Sequence, residues 1–479
     1  MLRICVLVLF SAASASASGL YKVHRLCAEH ARDAAWKRTI CGSPASQPPA
    51  DIITSWGTNV TPANVHGEYP RPQMTRDQAS TMTSLNGLWE FQLSSGHTTS
   101  PTGEGVFDDR VPFGVTLNQT ILVPFPLEAC LSGAFAWPLY SKFMFYRLLF
   151  DAPAASAQGL ATLLHFGAVD WNTTVYLNGQ MVGQHLGGYD GFSFDISKYL
   201  LAHNNELILA VFDPSDEGYQ LNGKQRISAI SHPGGDTYTP SSGVWQTVWL
   251  ETVQPYHIAD LKVRGDTEHL YLVVKTSMNV PGLVTGTVSF GGKEICGFSG
   301  DTFSDIVVAI PPPVQLWHPS HPHLYDLTIT VVEPSTAATD SVGSYFGMRE
   351  VGLLSFNRPS AAGPGVLRPA INGEFVFLTG FLDQSWWPDG EYTAPTDEAL
   401  KFDLQIVKDL GMNVIRLHQA RIRNDSTAVR AFGQSVHGCG VRTARRAVGA
   451  GCRLAAAPCT RQLRLLVVVG YSGALAFLC

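Results

Sequence analysis

Between Phe375 and Leu417 the chain carries one strand–helix–strand unit, and this unit commits it to a parallel sheet. Phe375-Val376-Phe377-Leu378-Thr379-Gly380 is a short apolar run closed by glycine, the pattern of a buried parallel strand. Thr396 is placed to cap a helix from Asp397 to Leu410, with Leu400, Leu404 and Val407 along one face and Gly411 as its stop. Met412-Asn413-Val414-Ile415-Arg416-Leu417 reads as the next strand. The intervening helix is a crossover, so the two strands are predicted to lie parallel and adjacent. A closed barrel of this kind repeats the unit eight times. Sixty residues follow Gln419, and they do not read as six more units.

Those residues, 420–479, change character. Of the 33 Lys+Arg in the chain, nine arginines fall here, and of the 39 Asp+Glu only Asp425 does, so the body is strongly acidic and the tail basic. A basic binding arm or a membrane segment at Leu465–Val469 would give the tail a function. The apolar stretch to Cys479 is 15 residues, against the roughly 20 that a span needs, and no clear polar spacer precedes it as a lipid-anchor signal requires. The expectation is an out-of-frame or disordered tail, such as a translated intron would give, without a functional role.

A hydrophobic fraction of 45% and an aromatic fraction of 10% belong to a globular chain, not a disordered one. The length allows about three domains. With no basic stripe in the body, nucleic acid is excluded as a partner. Arg3, the apolar run Ile4–Phe10 and the small residues Ser11–Ser18 read as a secretory signal over 1–18, cleaved near Ala17 or Ser18. Sequons at Asn59, Asn118, Asn172 and Asn424 agree with a secreted, extracellular protein without membrane attachment. Outside signal and tail only Cys27, Cys41, Cys130 and Cys296 remain, too few for a disulfide scaffold, although a Cys27–Cys41 bridge fits an oxidising compartment.

A Pro-rich extension covers 19–83. From Leu85 the pattern is all-β: Leu88–Leu93, Phe143–Phe150 and Ala161–Phe166 alternate, and Asn178-Gly179 supplies a two-residue hairpin turn. A second β segment follows, with strands expected at 257–263, 270–276, 286–290, 302–310 and 324–332. The predicted fold is multidomain and mainly β: a jelly-roll β-sandwich over 84–252, an immunoglobulin-like β-sandwich over 253–355, then the start of a (β/α)8 barrel, an incomplete TIM barrel, over 366–419.

This order, with its local motifs, resembles glycoside hydrolase family 2, which includes β-galactosidases, β-glucuronidases and β-mannosidases. The motifs are Leu85-Asn86-Gly87-Leu88-Trp89, Val123-Pro124-Phe125-Pro126-Leu127-Glu128, Tyr146-Arg147, and His165-Phe166-Gly167-Ala168-Val169-Asp170. They continue through His185-Leu186-Gly187-Gly188-Tyr189 and Gly243-Val244-Trp245-Gln246-Thr247-Val248-Trp249. Leu316-Trp317-His318-Pro319, Leu324-Tyr325-Asp326-Leu327 and Ile371-Asn372-Gly373-Glu374 complete the series. The resemblance implies a carbohydrate substrate and hydrolysis of a β-O-glycosidic bond with retention. It also implies two catalytic glutamates on later barrel strands, and residues 420–479 contain no glutamate. The chain read this way is truncated early in the catalytic domain, holds no catalytic residue and is expected to be inactive. The alternative from another class is a secreted carbohydrate-binding protein that never hydrolyses.

Barrels of this kind place their active face at strand C-termini. Trp386, Trp387 and Asp389 follow the first strand, so they are the candidates to face a sugar. Arg416 and His418 end the second strand and take a lining role by resemblance. A surface arginine and a satisfied core histidine are the structural readings of Arg416 and His418. In the jelly roll, Gly187-Gly188-Tyr189-Asp190 is the loop best placed to lean toward the sugar. Trp89, Trp245 and Trp249 are read as core. His318, His321 and His323 sit close in sequence, but Pro319 and Pro322 make this an extended turn. No metal and no cofactor are expected, and neither a P-loop, a G-x-S-x-G elbow nor H-E-x-x-H occurs. Oligomeric state is not legible.

Overall fold

The computed structural model describes residues 24–25, 52–98, 105–134, 142–232, 234–356, 365–417 and 474–477. The signal segment, Cys27, Cys41, His418 and Leu465–Val469 lie outside the described residues. The described part is mostly β, with few helices.

Residues 82–253 form two antiparallel sheets over one core. The larger runs Gln180–Leu186, Asn172–Leu177, Asn205–Phe212, Phe143–Phe150, Gly87–Ser94, Gln119–Val123. The smaller runs Phe192–Asp195, Ala161–Phe166, Val248–Val253, Met82–Ser84. Alternation in sequence becomes alternation in space. Trp89 and Phe91 turn inward while Leu88 faces out, and Val175 and Leu177 do the same one strand over. They meet Leu164, Phe166 and Leu250 from the opposite sheet. Burying each such side chain contributes about 1.5–3 kcal/mol. The Asn178-Gly179 turn has φ of 52° and 78°, the left-handed pair that a two-residue hairpin favours.

The next two sheets repeat the scheme on a smaller scale. Ile258–Gly265, His269–Thr276 and Ile306–Ala309 make one, and Lys293–Asp301, Leu283–Phe290, Tyr325–Val332 and Thr339–Phe346 the other. Leu270, Leu272 and Val274 face Leu327, Ile329 and Val331 across the core. The sequence reading missed Lys293–Asp301 and Thr339–Phe346, whose glycines, serines and acidic residues weaken the apolar alternation.

Residues 52–81 run over both bodies as a strap. Tyr69 Oη donates to Glu251 Oε1 at 2.6 Å, and Arg71 pairs with Oε2 of the same carboxylate. Arg76 Nη1 donates to Glu251 Oε1 at 3.1 Å, while its Nε and Nη2 fork onto Asp340 at 3.0 and 2.8 Å. One buried guanidinium thus joins the last strand of the first body to the second. Thr75 and Gly343 exchange backbone hydrogen bonds of 2.8 and 2.7 Å beside it.

The third part departs from the expected strand bounds. Val366–Ile371 turns at Asn372-Gly373, φ 52° and 78°, and pairs antiparallel with Glu374–Phe375. The parallel strand therefore begins at Gly380, not Phe375, and covers Gly380–Asp383. It pairs with Val414–Leu417 in parallel, Gly380 opposite Val414. A Cβ on Gly380 would fall 1.7 Å from the Val414 carbonyl oxygen, so the close approach needs glycine. The linking helix is Asp397–Asp409, with Thr396 Oγ1 accepting from Ala399 N and Gly411 left-handed at φ 73° beyond its end. Its Leu404 and Val407 pack on Ile415 and Leu417. Within the tail, expected to stand apart, Ala474–Phe477 pairs antiparallel with Val414–Leu417.

Candidate functional site

The loop after the Gly380–Asp383 strand is fixed from within and from both flanks. Trp387 and Glu391 exchange backbone hydrogen bonds of 2.8 and 3.0 Å, which closes the turn around Pro388-Asp389-Gly390. The Thr393 hydroxyl sits 2.5 Å from the Trp245 carbonyl oxygen and 3.1 Å from that of Pro124, tying the loop to the first sandwich. Leu131 N donates to the Asp389 carbonyl at 2.9 Å.

The loop splits the sequence candidates into two groups. Trp387 and Asp389 turn toward the N-terminal strap. Asp389 is fully buried, and its Oδ2 accepts from Thr54 N and Thr54 Oγ1, both at 2.8 Å. Burial pushes its carboxyl up to about 6 against the pull of the Thr54 bonds. Gly57 allows this contact, since a Cβ there would lie 2.2 Å from Asp389 Oδ2. Trp387 is buried with Ala394 and Ala399 and meets Trp56 edge-on at 6.5 Å.

Trp386 turns the other way. It is half-buried and stacks on Tyr238 at 4.6 Å and 15°. Its other neighbour, Tyr392, meets it edge-on at 4.8 Å. Tyr392 reaches Trp245 at 5.4 Å, and its hydroxyl stands 3.5 Å from that of Tyr189. Trp245, read as core, is indeed buried, and its Nε1 donates to Gly188 O at 2.7 Å, which holds the Gly187–Asp190 loop against the cluster. The loop singled out in the sandwich and the tryptophan singled out after the strand therefore share one aromatic cluster.

Polar groups line the same cluster. Gln225 Nε2 lies 2.9 Å from both Asp170 Oδ2 and Tyr189 Oη, and its Oε1 accepts from Ser241 N at 2.6 Å. Asp170 is buried, and burial followed by the Asp213 charge raises its carboxyl. Burial lifts Asp213 to about 6 and Glu128 to about 8, the latter despite a 2.8 Å bond from Ser242 N. Asp383, at the end of the parallel strand, is raised by burial, and its charge in turn helps to raise Tyr238 after the larger effect of burial and that of Asp236. Buried carboxyls whose neutral form is favoured can donate as well as accept, which suits a ligand rich in hydroxyls. Aromatic faces beside them offer apolar area to a ring.

Arg416 is exposed, opposite Leu382 in the parallel register, on the strand face away from Ile415, Leu417 and the helix. Tyr238, Tyr392, Gln225 and Asp383 were missed by sequence reasoning. Asp383 had a signal, its place at a parallel strand's C-terminus, once that strand is bounded correctly. The other three lie in loops without motif.

The comparisons with known proteins bear on this arrangement. The sugar binding domain of glycosyl hydrolases family 2 matches residues 82–253, and a second model of glycosyl hydrolases family 2 matches 257–349. A β-galactosidase of Thermoanaerobacter pseudethanolicus is 25% identical over 281 residues, 54% of this chain and 34% of that protein. A β-glucuronidase of Formosa agariphila is 24% identical over 302 residues, 57% of this chain and 29% of that protein. This chain thus spans about a third of the length of each of these two curated relatives. In fold it is similar to the β-glucuronidase of Ruminococcus gnavus solved in complex with D-glucuronic acid, with a TM-score of 0.54 and 18% identity over 72% of this chain and 57% of that one. Two family models in tandem, over the two sandwiches in the order read from the motifs, settle the family: the chain belongs to glycoside hydrolase family 2.

Proposed function

We propose that the full-length form of this protein is a secreted β-glycosidase that cleaves its substrate with retention. In this reading 84–252 is a jelly-roll sandwich that contributes to the sugar site, 253–355 an immunoglobulin-like sandwich, and 366–419 the start of a (β/α)8 barrel. The observation that carries it is the aromatic cluster, in which Trp386, from the loop after the parallel strand, stands with Tyr189 and Trp245 of the sugar binding domain. The exposed sequons at Asn59 and Asn118 support export. Retention needs two carboxylates about 5–5.5 Å apart, one donating a proton and one attacking. Asp389, buried, and Glu391, half-buried, follow the first parallel strand and are closed in by Thr54 and by the loop itself, and residues 420–479 hold no glutamate. The 479-residue polypeptide is therefore proposed to bind a β-linked sugar without hydrolysing it.

The test uses aryl β-galactosides and aryl β-glucuronides with the purified chain. No turnover above background is expected, with saturable quenching of tryptophan fluorescence that Trp386→Ala abolishes. Turnover would overturn the proposed inactivity, and quenching unchanged by Trp386→Ala would overturn the proposed site.

A further inference from the structure

Three of the sequons, at Asn59, Asn118 and Asn172, fall on described residues, and none has proline in its middle position. The fold treats them differently. Asn118 stands between buried Leu117 and the strand Gln119–Val123, which is an edge of the six-stranded sheet. Leu117 N donates to Glu90 Oε2 at 2.9 Å, fixing the backbone there, while Asn118, Gln119 and Thr120 are exposed. Further along the same strand, Leu122 is buried with Ile53, Val60 and Val65 of the strap. The strap thus packs on the far end of this strand and leaves its sequon end open to water. Asn59 is the exposed last residue of the short turn Gly57–Asn59, just before buried Val60. Among the described residues, neither the Asn59 nor the Asn118 side-chain amide makes a hydrogen bond.

Asn172 is placed otherwise. It begins an inner strand of the same sheet, with Leu186 opposite on one side and Phe212 on the other. Directly opposed residues share a face of a sheet, so its side chain stands beside the buried Phe212. That face is roofed by the strand Gly105–Phe107, because a Cβ on Gly105 would fall 2.5 Å from the Phe212 ring. Asn172 is half-buried, and its Oδ1 accepts from Gln184 Nε2 at 2.9 Å. A glycan on it would compete with the covering strand for the same space.

We propose that Asn59 and Asn118 are N-glycan acceptors, that Asn172 is not, and that the Asn118 glycan guards the open edge of the six-stranded sheet. Acceptance rests on the export proposed above, since the donor, an oligosaccharide joined to a lipid pyrophosphate, is met on the secretory route. The amide nitrogen attacks C1 of the first sugar. An N–C1 bond forms, the C1–O bond to the pyrophosphate breaks, the lipid pyrophosphate leaves and the amide gives up one proton. An edge strand offers unpaired backbone groups to another chain. A bulky, solubilising group beside Gln119 and Thr120 blocks that approach.

The test expresses the full chain in an N-glycosylating secretory host, once with residues 1–18 as they stand and once with a foreign leader in their place. Peptide N-glycosidase in heavy-oxygen water converts each glycosylated asparagine to a labelled aspartate, read by peptide mass mapping. Label is expected at Asn59 and Asn118 and not at Asn172. Asn59→Gln and Asn118→Gln should each remove one step of gel mobility. Thr120→Ala should copy Asn118→Gln, and Thr120→Ser should keep the step. Asn118→Gln should also associate more readily than Asn59→Gln, as read by light scattering. Label at Asn172, or an unlabelled Asn59 or Asn118 under the foreign leader, would overturn the assignment. Equal association of the two variants would overturn the guarding role. Label under the foreign leader alone would overturn export and uphold the two sites.

Discussion

Glu251→Gln tests the charge network under the strap. The Glu251 side chain is wholly buried and is met by Tyr69, Arg71 and Arg76, with His165 Nε2 3.3 Å from Oε2. Burial alone would raise this carboxyl, but the neighbouring His165 ring and the charges of Arg71 and Arg76 outweigh it and hold it far below the ordinary range. Glutamine keeps the shape but presents one NH₂ group toward donors and leaves the Arg76 guanidinium, 3% exposed, with Asp340 as its remaining counter-charge. Removing one member of a buried ion pair costs about 3–5 kcal/mol. At roughly 2–4 °C per kcal/mol for a body of this size, the melting temperature should fall by about 6–20 °C. Scanning calorimetry reads the value directly. Arg76→Met should go further and split the transition in two, because Arg76 is the residue shared by Glu251 and Asp340. A loss under about 1 kcal/mol in Glu251→Gln would mean that water screens the network, and the argument would fail.

Three further outcomes are expected. His165 is held down at about 4 by burial and then by the Arg71 charge, against an ordinary value of 6.5. Its neutral form is therefore the folded one, and its contribution, about 3 kcal/mol, should be present above pH 6.5 and lost as pH falls toward 4. Denaturant midpoints measured across that window check it, and His165→Leu should flatten the slope. Thr54→Val removes one of the two bonds to Asp389 and should cost about 1–3 kcal/mol, read as faster proteolysis near 52–60. Gly380→Ala would drive a methyl into the Val414 carbonyl, so residues 365–417 should lose protease protection while the two sandwiches melt unchanged.

What the sequence made legible follows from range. Strand alternation and the Asn178-Gly179 turn are local signals, and both sandwiches were read from them. The Asn372-Gly373 turn was equally local but was overridden by the apolar run of Phe375–Leu378, so a hairpin was read as the barrel's first strand. Apolar character by itself does not separate a two-residue hairpin arm from a buried strand. The helix was found with its cap and stop because Thr396 and Gly411 act within a few residues. Asp389 illustrates the limit. Its position after a parallel strand suggested a substrate contact, and nothing near it in sequence indicated that Thr54 would cover it. Tyr189 was legible through its glycines, whereas Tyr392 and Tyr238 become meaningful only once three separate loops are assembled.

The strap also sets an order of events during synthesis. Thr54 leaves the ribosome long before its partner, because 335 residues separate it from Asp389. At roughly 5–20 residues per second, that wait lasts about 20–70 s. Arg76 waits 175 residues for Glu251 and 264 for Asp340. Through this interval the first sandwich can close its core, but the groove its own N-terminal segment will fill stays open to water and to other chains. The Thr54 end of the strap is thus the last part of it to settle, and a nascent chain halted between residues 344 and 388 emerges with that end still loose.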